Sequence, residues 1–553
     1  MVWSLFLAVL MLGPALGPGL VLSYDMVWVP DLTLRPDFWG LGTSLPRAVP
    51  SDTVVALLDD VVGGPILQKV VLMGSLAGGG VGIDRLVRDL LDAALGARLA
   101  AISVYQWNAF LAERLLLGHW TMLLCYAVVP WVICLARRWR SEGRLPALLL
   151  VLVPLGSLSA SAGLATGFVL LVSVAGRDLR RLAVAAAVVV AANAPWLVAG
   201  ILHAGSSRAD PRGAALFALA GEGPVPAPLA ALTLGGVWNR EVVPASRTGL
   251  LGWMSVLLVV LLVTLGLRYW WQRLGPRDAA GIGACWLVGY LLALVTWVTP
   301  ATVATVGEHV PGGGVLRDGS RLLVLCAPAL ATVTAAATTR AAELVEASAA
   351  RALVVGGLVA LPVLLLSDAA WGLHGRLRAV DLPADYAAAR RAIETAPEGD
   401  VLVLPLSSYR RPSWNHGLKV LDPAGRSQPR DFAASDVLVV SGIALTGEDP
   451  RVADAAEALA APTPATRAAR LAELGFGVLL VDREAPDDVP AVDGEAIFDG
   501  SLLQVVTIAG ARPTAVPVAW VAAMSGGWAA FGGLVAGAAL LGCARRLRRQ
   551  RPR

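Results

Sequence analysis

The sequence begins with VWSLFLAVLMLGPALGPGLVL (residues 2–22), an apolar run without a charged side chain, and continues with SYD (residues 23–25). A helix that crosses the hydrocarbon core of a bilayer needs about 20 apolar residues, which this run supplies. Asp25 then lies at the mouth of the first predicted span, where a polar loop begins.

The composition extends this interpretation to the whole chain. Of its 553 residues, 56% are hydrophobic and 16% charged, and the mean hydropathy is +0.66. These values lie outside the range of soluble domains and predict a polytopic α-helical membrane protein of about 12 spans. The net charge of +4 comes almost wholly from arginine, and it gives no reason to expect a nucleic-acid partner.

Arginine placement orients the predicted spans, because basic residues concentrate in short cytoplasmic loops. The arginine clusters all fall on one side, which places both termini in the cytoplasm. The first run lacks a basic n-region and a small-x-small cleavage site, so we predict a retained span rather than a signal peptide. At residues 145–176 we predict a hairpin of two short helices that does not fully cross the membrane. The twelve predicted helices lie at residues 2–22, 65–83, 89–106, 118–136, 145–160, 161–176, 180–203, 248–267, 278–299, 320–338, 350–368 and 515–543.

One soluble domain is predicted outside the membrane, at residues 369–513. Four short runs rich in Val and Leu alternate there with alanine-rich helical patterns, which predicts an α/β domain. The chain then divides into a multispan domain (residues 1–368), this extracytoplasmic domain, and a final span with a basic cytoplasmic tail (residues 514–553). The predicted strands lie at 400–404, 436–440, 477–482 and 502–508, and the predicted helices at 384–395 and 465–474.

The polar loops on the outer side are residues 23–64, 203–247 and 299–319, and they carry the candidate site residues. All five cysteines fall inside or at the ends of apolar runs, so neither a disulfide nor a zinc site is expected.

The first outer loop carries acidic residues at Asp25, Asp31 and Asp37. A carboxylate at this interface can take a proton from an attacking hydroxyl, or hold a divalent ion on a donor phosphate. We predict Asp25 as the catalytic carboxylate and Asp31 as the second candidate. The alternative is that these are ordinary solvated loop acids.

A second polar group lies between the third and fourth predicted spans. Glu113 and Arg114 approach an apolar helix, and His119 follows them. An unpaired charge at the membrane edge is costly, so a partner or a ligand is implied. A hydrogen-bonded structural role fits His119 as well as a catalytic one.

The third group stands at the entry to the tenth predicted span. Arg317 and Arg321 lie one helical turn apart and can project on one side toward a phosphate, with Glu308 and His309 shortly before them. The alternative is a helix entry with Asp318 and Ser320 as caps and an Arg–Asp pair.

The fourth group follows the predicted strand that ends at residue 404. Tyr409, Arg410, Trp414 and Asn415 combine aromatic rings with polar groups that suit the faces and hydroxyls of a sugar, and loops after strands commonly carry ligands. We predict an acceptor-binding loop. A loop packed against the membrane domain is the alternative.

The arrangement resembles the glycosyltransferase C superfamily, multispan enzymes that use polyprenyl-phosphate sugars outside the cytoplasmic membrane. The likeness covers the topology of the membrane region. It is strongest at residues 108–120 and 316–321, which look like patterns of uncharacterised actinobacterial membrane proteins of this type. Many members carry two adjacent acids in the first loop, whereas Met26 follows Asp25 here, so the choice between Asp25 and Asp31 stays open. The resemblance implies donor-phosphate ligands at Arg317, Arg321, Arg114 and Lys69.

We therefore interpret the chain as a glycosyltransferase of the cytoplasmic membrane that moves a sugar of the arabinose or mannose type from a polyprenyl-phosphate donor to a cell-envelope glycan or lipid at the outer face. A divalent ion (Mg²⁺, Mn²⁺ or Ca²⁺) is the one cofactor considered. Two other functions stay open. A transporter or flippase of a lipid-linked precursor predicts charges near mid-membrane and inverted repeats. A non-catalytic envelope assembly protein predicts that Asp25 and the two arginines do not converge on one cavity.

Overall fold

The computed structural model describes residues 1–42, 45–205, 210–310, 312–512 and 515–550, with side chains as far as residue 543. The predicted domain boundary between residues 513 and 514, and the side chains of the basic tail at 545–553, fall outside this described part. Within it, seven helices are long and apolar enough to cross a membrane. They are Gly64–Leu91, Trp120–Glu142, Leu179–Leu202, Leu250–Leu274, Pro276–Val298, Ser348–Leu365 and Val518–Cys543.

The described residues hold fewer helices of spanning length than the twelve predicted. An eighth span results if Gly319–Leu325 and Ala327–Glu343, which meet at 43°, are counted together, and two shorter apolar helices lie at Val2–Leu16 and Ala160–Val174. The predicted span 89–106 divides because Asp92 takes the left-handed conformation that ends one helix, and Leu95–Gln106 forms a second of only 12 residues.

The first predicted span also ends early. Its regular helix runs over Val2–Leu12, and a 3₁₀ turn at Gly13–Leu16 follows. Glycine and proline recur from residue 13 to residue 19 and interrupt the helical hydrogen-bond ladder. The chain then pairs at Leu20–Val21 with the strand Ala379–Val380. Other helices of the described chain are Ser51–Val62, Ala109–Leu116, Leu149–Leu155, Arg212–Leu216, Ala227–Leu232, Pro300–His309, Ala384–Thr395, Pro450–Leu459 and Pro464–Glu473.

Small residues let the central helices approach closely. A Cβ added at Gly82 would lie 2.6 Å from Nε1 of Trp131, and one at Gly80 would lie 2.1 Å from Oε1 of Gln106. The Gln106 amide donates to the carbonyl of Ser4 at 2.8 Å, so this contact also satisfies a buried polar group. The bundle is thus held by close backbone packing and interhelical hydrogen bonds, as is usual where lipid surrounds the helices.

The α/β domain is built on one five-stranded sheet. From one edge to the other, its strands are Glu495–Asp499, Leu503–Thr507, Phe476–Asp482, Asp400–Leu404 and Phe432–Ala433. The last three strands run parallel, and the first two add antiparallel pairs at one edge. The predicted strand 436–440 lies apart from this sheet, in a hairpin of Leu438–Val440 with Ile443–Leu445. A further two-stranded pair joins Tyr409–Arg410 to Val420–Leu421.

The α/β domain is attached to the first loop, the segment between helices Val2–Leu12 and Ser51–Val62. The buried guanidinium of Arg35 donates to the carbonyls of Gly425 at 3.2 Å and Gln428 at 2.7 Å, and it pairs with the carboxylate of Asp37. The loop main chain also joins the domain, since the amide of Leu421 donates to the carbonyl of Tyr24 at 2.9 Å. These contacts place the first loop between the membrane helices and the α/β domain.

We expect Arg35→Ala to loosen this attachment. The substitution leaves the Asp37 carboxylate and two carbonyls without their buried donor, which costs about 3–5 kcal/mol in comparable buried pairs. Thermal unfolding and limited proteolysis of the purified protein measure the effect. The control is the exposed Arg391→Ala, whose Nε donates to the carbonyl of Ala387 in its own helix and whose loss should cost about 0.5 kcal/mol or less. Equal losses of stability in the two variants would contradict this role of Arg35.

Candidate active site

A cavity of about 1190 Å³ lies where the membrane helices, the first loop and the α/β domain meet. Its wall includes Asp25 from the first loop, His119 from the turn before helix Trp120–Glu142, Arg321 from the segment Gly319–Leu325, and Tyr409 from the α/β domain. Four segments far apart in sequence therefore bring charged and polar groups to one space.

Backbone contacts on both sides fix Asp25. Its amide donates to the carbonyl of Leu117 at 3.0 Å, and the amide of Tyr24 donates to the carbonyl of Lys419 at 2.8 Å. Gly118 permits the first contact, because a Cβ there would lie 2.1 Å from the backbone nitrogen of Met26. The loop therefore approaches the turn before helix Trp120–Glu142 more closely than any side chain at residue 118 would allow.

The Asp25 carboxylate accepts two hydrogen bonds and faces the cavity. Its Oδ1 accepts from the hydroxyl of Tyr409 at 2.5 Å, and its Oδ2 lies 3.2 Å from Nε2 of His119. The side chain is 42% exposed because it faces the cavity. The cavity itself is enclosed by protein. Burial raises the pKa of Asp25, but the hydrogen bonds from His119 and Tyr409 and the charge of Arg321 outweigh it, so the net pKa is lowered. Asp25 is thus ionised at neutral pH.

The tautomer of His119 follows from its other neighbour. Its Nδ1 lies 3.0 Å from Nη1 of Arg114, and a guanidinium can only donate. Nδ1 therefore accepts, and Nε2 carries the proton that is donated to Asp25. Burial, with the charge of Arg321, lowers the pKa of His119 to about 4, which keeps the ring neutral. His119 orients the carboxylate rather than competing with it for the proton of a substrate.

Arg114 connects this pair to the segment before the tenth predicted span. Its buried guanidinium donates to Asp318 at 3.2 Å and to the hydroxyl of Ser320 at 2.5 Å. Asp318 also accepts from Nε of Arg321 at 3.0 Å. A continuous path of hydrogen bonds thus runs from Arg321 through Asp318, Arg114 and His119 to the Asp25 carboxylate.

Arg321 and Arg317 both line the cavity, but they differ in how they are paired. Arg321 is 34% exposed, and the hydrogen bond to its only ion-pair partner among the described residues, Asp318, runs through Nε. Arg317 pairs with Glu448 at 2.7 Å and lies over the ring of Phe217 at 4.7 Å. The two arginines do not share one regular helix, because 3₁₀ segments at Gly313–Arg317 and Gly319–Leu325 meet at Asp318.

Other predicted residues are distributed between the rim of the cavity and separate sites. Glu308 and His309 line the cavity from the exposed end of helix Pro300–His309. Asp31, Lys69 and Glu113 are not among the described residues that line it. Asp31 pairs with Arg390 at 2.7 Å, and the buried Nζ of Lys69 has no hydrogen-bond partner among the described atoms.

Glu113 belongs to a separate buried cluster. Its carboxyl lies beside that of Glu222, and Glu222 pairs with Arg247 at 2.6 Å. Burial, together with the charge of Glu222, raises the pKa of Glu113 well above its usual range.

Of the four residues predicted to bind an acceptor, the structure brings only Tyr409 to the cavity wall in its described part. Arg410 is buried in ion pairs with Asp422 and Asp482, both at 3.0 Å. Trp414 packs edge-on against Tyr386. The amide of Asn415 donates to the carbonyl of Leu22 at 3.3 Å, which fastens this loop to the membrane domain.

The sequence interpretation did not identify Lys419 as a site residue. Its Nζ lies 5.4 Å from the ring centroid of Tyr409 and 3.9 Å from the carboxylate of Glu241, and it lines the cavity. The chain has only two lysines, which is the one signal in the sequence that could have marked it. Asp318 and Ser320 both accept hydrogen bonds from Arg114, a partner that the sequence pattern at the helix entry does not predict.

One cluster of three carboxylates that lie close enough together to hold a metal ion is found outside this cavity. In the described residues, the one group with three ligand oxygens or nitrogens within 4.8 Å of one another is Asp31, Asp59 and Asp60. Near Asp25, the two carboxylate oxygens already accept hydrogen bonds from His119 and Tyr409. Each oxygen keeps a lone pair beyond its one hydrogen bond, so a divalent ion on the donor phosphate stays a prediction at this cavity.

No protein-family model and no curated protein matches the sequence. Among solved structures, the chain is similar to the arabinofuranosyltransferase AftD from Mycobacteria, with a TM-score of 0.57 and 16% identity over 93% of this chain. A mutant of that enzyme, R1389S in its class 2 state, gives a TM-score of 0.54 at 15% identity over 92% of the chain. The chain spans 40–41% of the length of these structures. Its fold is therefore that of a polytopic membrane protein shared with a membrane glycosyltransferase.

Proposed function

We propose that the protein is a membrane glycosyltransferase that transfers a sugar from a polyprenyl-phosphate donor to a glycan or lipid of the cell envelope at the outer face. One observation carries the proposal. The ionised carboxylate of Asp25 and the partly exposed guanidinium of Arg321 face the same cavity, joined by a path of hydrogen bonds through Arg114 and His119. The fold shared with a membrane glycosyltransferase supports it.

The two groups suit the two ends of a direct displacement. Asp25 takes the proton from an acceptor hydroxyl as the hydroxyl oxygen attacks the anomeric carbon. The bond between that carbon and the phosphate oxygen breaks, and the electron pair leaves with the polyprenyl phosphate. Arg321 offers positive charge where this negative charge develops. Asp25 ends protonated and returns its proton to water.

Tyr409 and His119 hold the carboxylate in place for this step. Burial and the nearby Asp25 charge raise the pKa of the Tyr409 phenol well above its usual range, so the phenol stays a donor. With one donor on each oxygen, the carboxylate keeps its remaining lone pairs for the acceptor. A divalent ion on the donor phosphate stays a prediction.

The two other functions are less well supported. A non-catalytic assembly protein predicts that Asp25, Arg317 and Arg321 lie apart, whereas all three line one cavity. A transporter predicts charges near mid-membrane, whereas these residues lie at the ends of the spanning helices or in loops. Of the two candidate sugars we propose arabinofuranose first, by analogy with the enzyme that shares the fold.

Asp25→Asn removes the proposed base and keeps the side-chain volume. We expect transfer to fall about 10²- to 10⁴-fold, the usual contribution of general-base catalysis. The measurement is transfer by purified protein from radiolabelled polyprenyl-phosphate arabinose, and separately mannose, to an envelope-glycan extract. The matched control is Asp31→Asn in the same loop, which should transfer at the wild-type rate. An active Asp25→Asn protein with an inactive Asp31→Asn protein would assign the base to Asp31.

Arg321→Gln tests the proposed leaving-group contact. We expect a loss of about 10²- to 10³-fold in kcat, because the developing charge on the phosphate loses its closest cation. Arg317→Gln is the matched control and should lose much less, since the Nη1 of Arg317 is held by Glu448 and its guanidinium lies over the Phe217 ring, whereas the bond from Arg321 to Asp318 uses Nε. Steady-state kinetics with the same donors measure kcat for each of the two variants. Equal losses would mean that both arginines bind the phosphate.

The pH dependence of transfer tests the hydrogen bond from Tyr409. This bond stabilises the ionised form of Asp25, so its removal in Tyr409→Phe raises the pKa of that carboxyl. Activity of a general base is lost as the pH falls through its pKa. The acid limb of the kcat profile should therefore move to higher pH in Tyr409→Phe. An unmoved limb would show that the titrating group is not Asp25.

A further inference from the structure

A second cavity, of about 660 Å³, lies at the opposite face of the membrane domain. Helix Trp120–Glu142 begins beside His119 at the candidate active site and ends at this second cavity. With a rise of about 1.5 Å per residue, its 23 residues separate the two by roughly 34 Å. The start of helix Pro276–Val298 and the end of helix Leu250–Leu274 complete the wall.

We call this second cavity the basic pocket, because arginines dominate its wall. Five arginines and two acids, Asp89 and Asp278, line it, which gives the wall a net charge of +3. Glu142 lies next to it and pairs with Arg138, which leaves a clear excess of positive charge. The five arginines are Arg85, Arg137, Arg138, Arg140 and Arg277.

One carboxylate serves two of these arginines. Asp278 pairs with Nε of Arg137 at 2.8 Å and also with Arg140, whose side chain is only 12% exposed. Arg85 is half exposed, and its Nε lies 3.7 Å from Asp89, a weak pair at the surface. Arg85 and Arg138 stay open to an anion, with side chains 47% and 58% exposed. Guanidiniums from three helices thus face one cavity.

The basic pocket also has an apolar side. Trp131, Leu135, Leu148 and Leu274 line it together with the arginines. Leu148 is 46% exposed, and Val151, one turn further along the chain, is exposed as well. These side chains belong to a chain segment that lies among helices of spanning length, so their exposed faces meet lipid. The pocket thus joins a cationic wall to a hydrocarbon-facing edge.

We propose that the basic pocket binds the headgroup of an anionic phospholipid, with the acyl chains along Leu148 and Val151. The phosphate would lie among Arg85, Arg138 and Arg277, and the start of helix Pro276–Val298 adds the positive end of its dipole. An amphipathic anion satisfies both sides of the pocket, whereas a soluble phosphate would leave the apolar edge unused. Basic pockets between membrane helices bind anionic lipid headgroups by the same physics.

Native mass spectrometry of the purified full-length protein tests the proposal with phosphatidylglycerol and phosphatidylcholine as probes. We expect wild-type protein to retain phosphatidylglycerol at least about tenfold more strongly than phosphatidylcholine. Arg85→Gln with Arg138→Gln removes two cations held only by surface pairs, and it should weaken phosphatidylglycerol binding about 30-fold. Asp89→Asn removes a negative charge from the wall and should strengthen binding about fivefold. A misfolded protein would not give this gain.

The matched control is Arg340→Gln with Arg351→Gln. Arg340 lies at the far end of helix Ala327–Glu343 and Arg351 near the start of helix Ser348–Leu365, and neither lines the basic pocket among the described residues. This variant should bind phosphatidylglycerol as wild type does. Equal binding of the two lipids, or undiminished binding by Arg85→Gln with Arg138→Gln, would overturn the proposal. Displacement of the lipid by equimolar glycerol 3-phosphate would overturn it in favour of a soluble anion.

Discussion

The arrangement of the candidate active site depends on the buried guanidinium of Arg114. It reaches Asp318 at 3.2 Å and His119 at 3.0 Å, and through His119 it sets the orientation of Asp25. A guanidinium has no acceptor, so its bond to Nδ1 forces the proton of His119 onto Nε2, where Asp25 accepts it. The carboxylate that we propose as the catalytic base is thus held by a cation that does not itself need to touch a substrate.

This constraint explains why the site requires two domains. The membrane domain supplies Arg114, His119 and Arg321, whereas the second donor to Asp25, Tyr409, comes from the α/β domain. The attachment of that domain through Arg35 therefore contributes directly to the geometry of the carboxylate. If the domain separated, Asp25 would lose one hydrogen bond and the cavity would lose one wall.

The sequence predicts the parts of this structure that follow from local pattern. The apolar runs predict the membrane class, and the strand 400–404 and the helix 384–395 match the observed Asp400–Leu404 and Ala384–Thr395. The sequence predicts less well those helix ends and side-chain positions that depend on backbone geometry or on contacts between distant segments. Asp92 ends a helix by a left-handed turn, and Arg410 and Asn415 are polar residues that pack inside rather than face a ligand. Periodicity and composition carry no information on such pairing.

The most direct test of the account is a structure of the protein with a non-cleavable phosphonate analogue of polyprenyl-phosphate arabinose. The account predicts that the phosphonate lies within hydrogen-bonding distance of the Arg321 guanidinium, with the anomeric carbon on the side of the cavity that faces the Asp25 carboxylate. An analogue bound elsewhere, or bound with its anomeric carbon turned away from Asp25, would contradict the account.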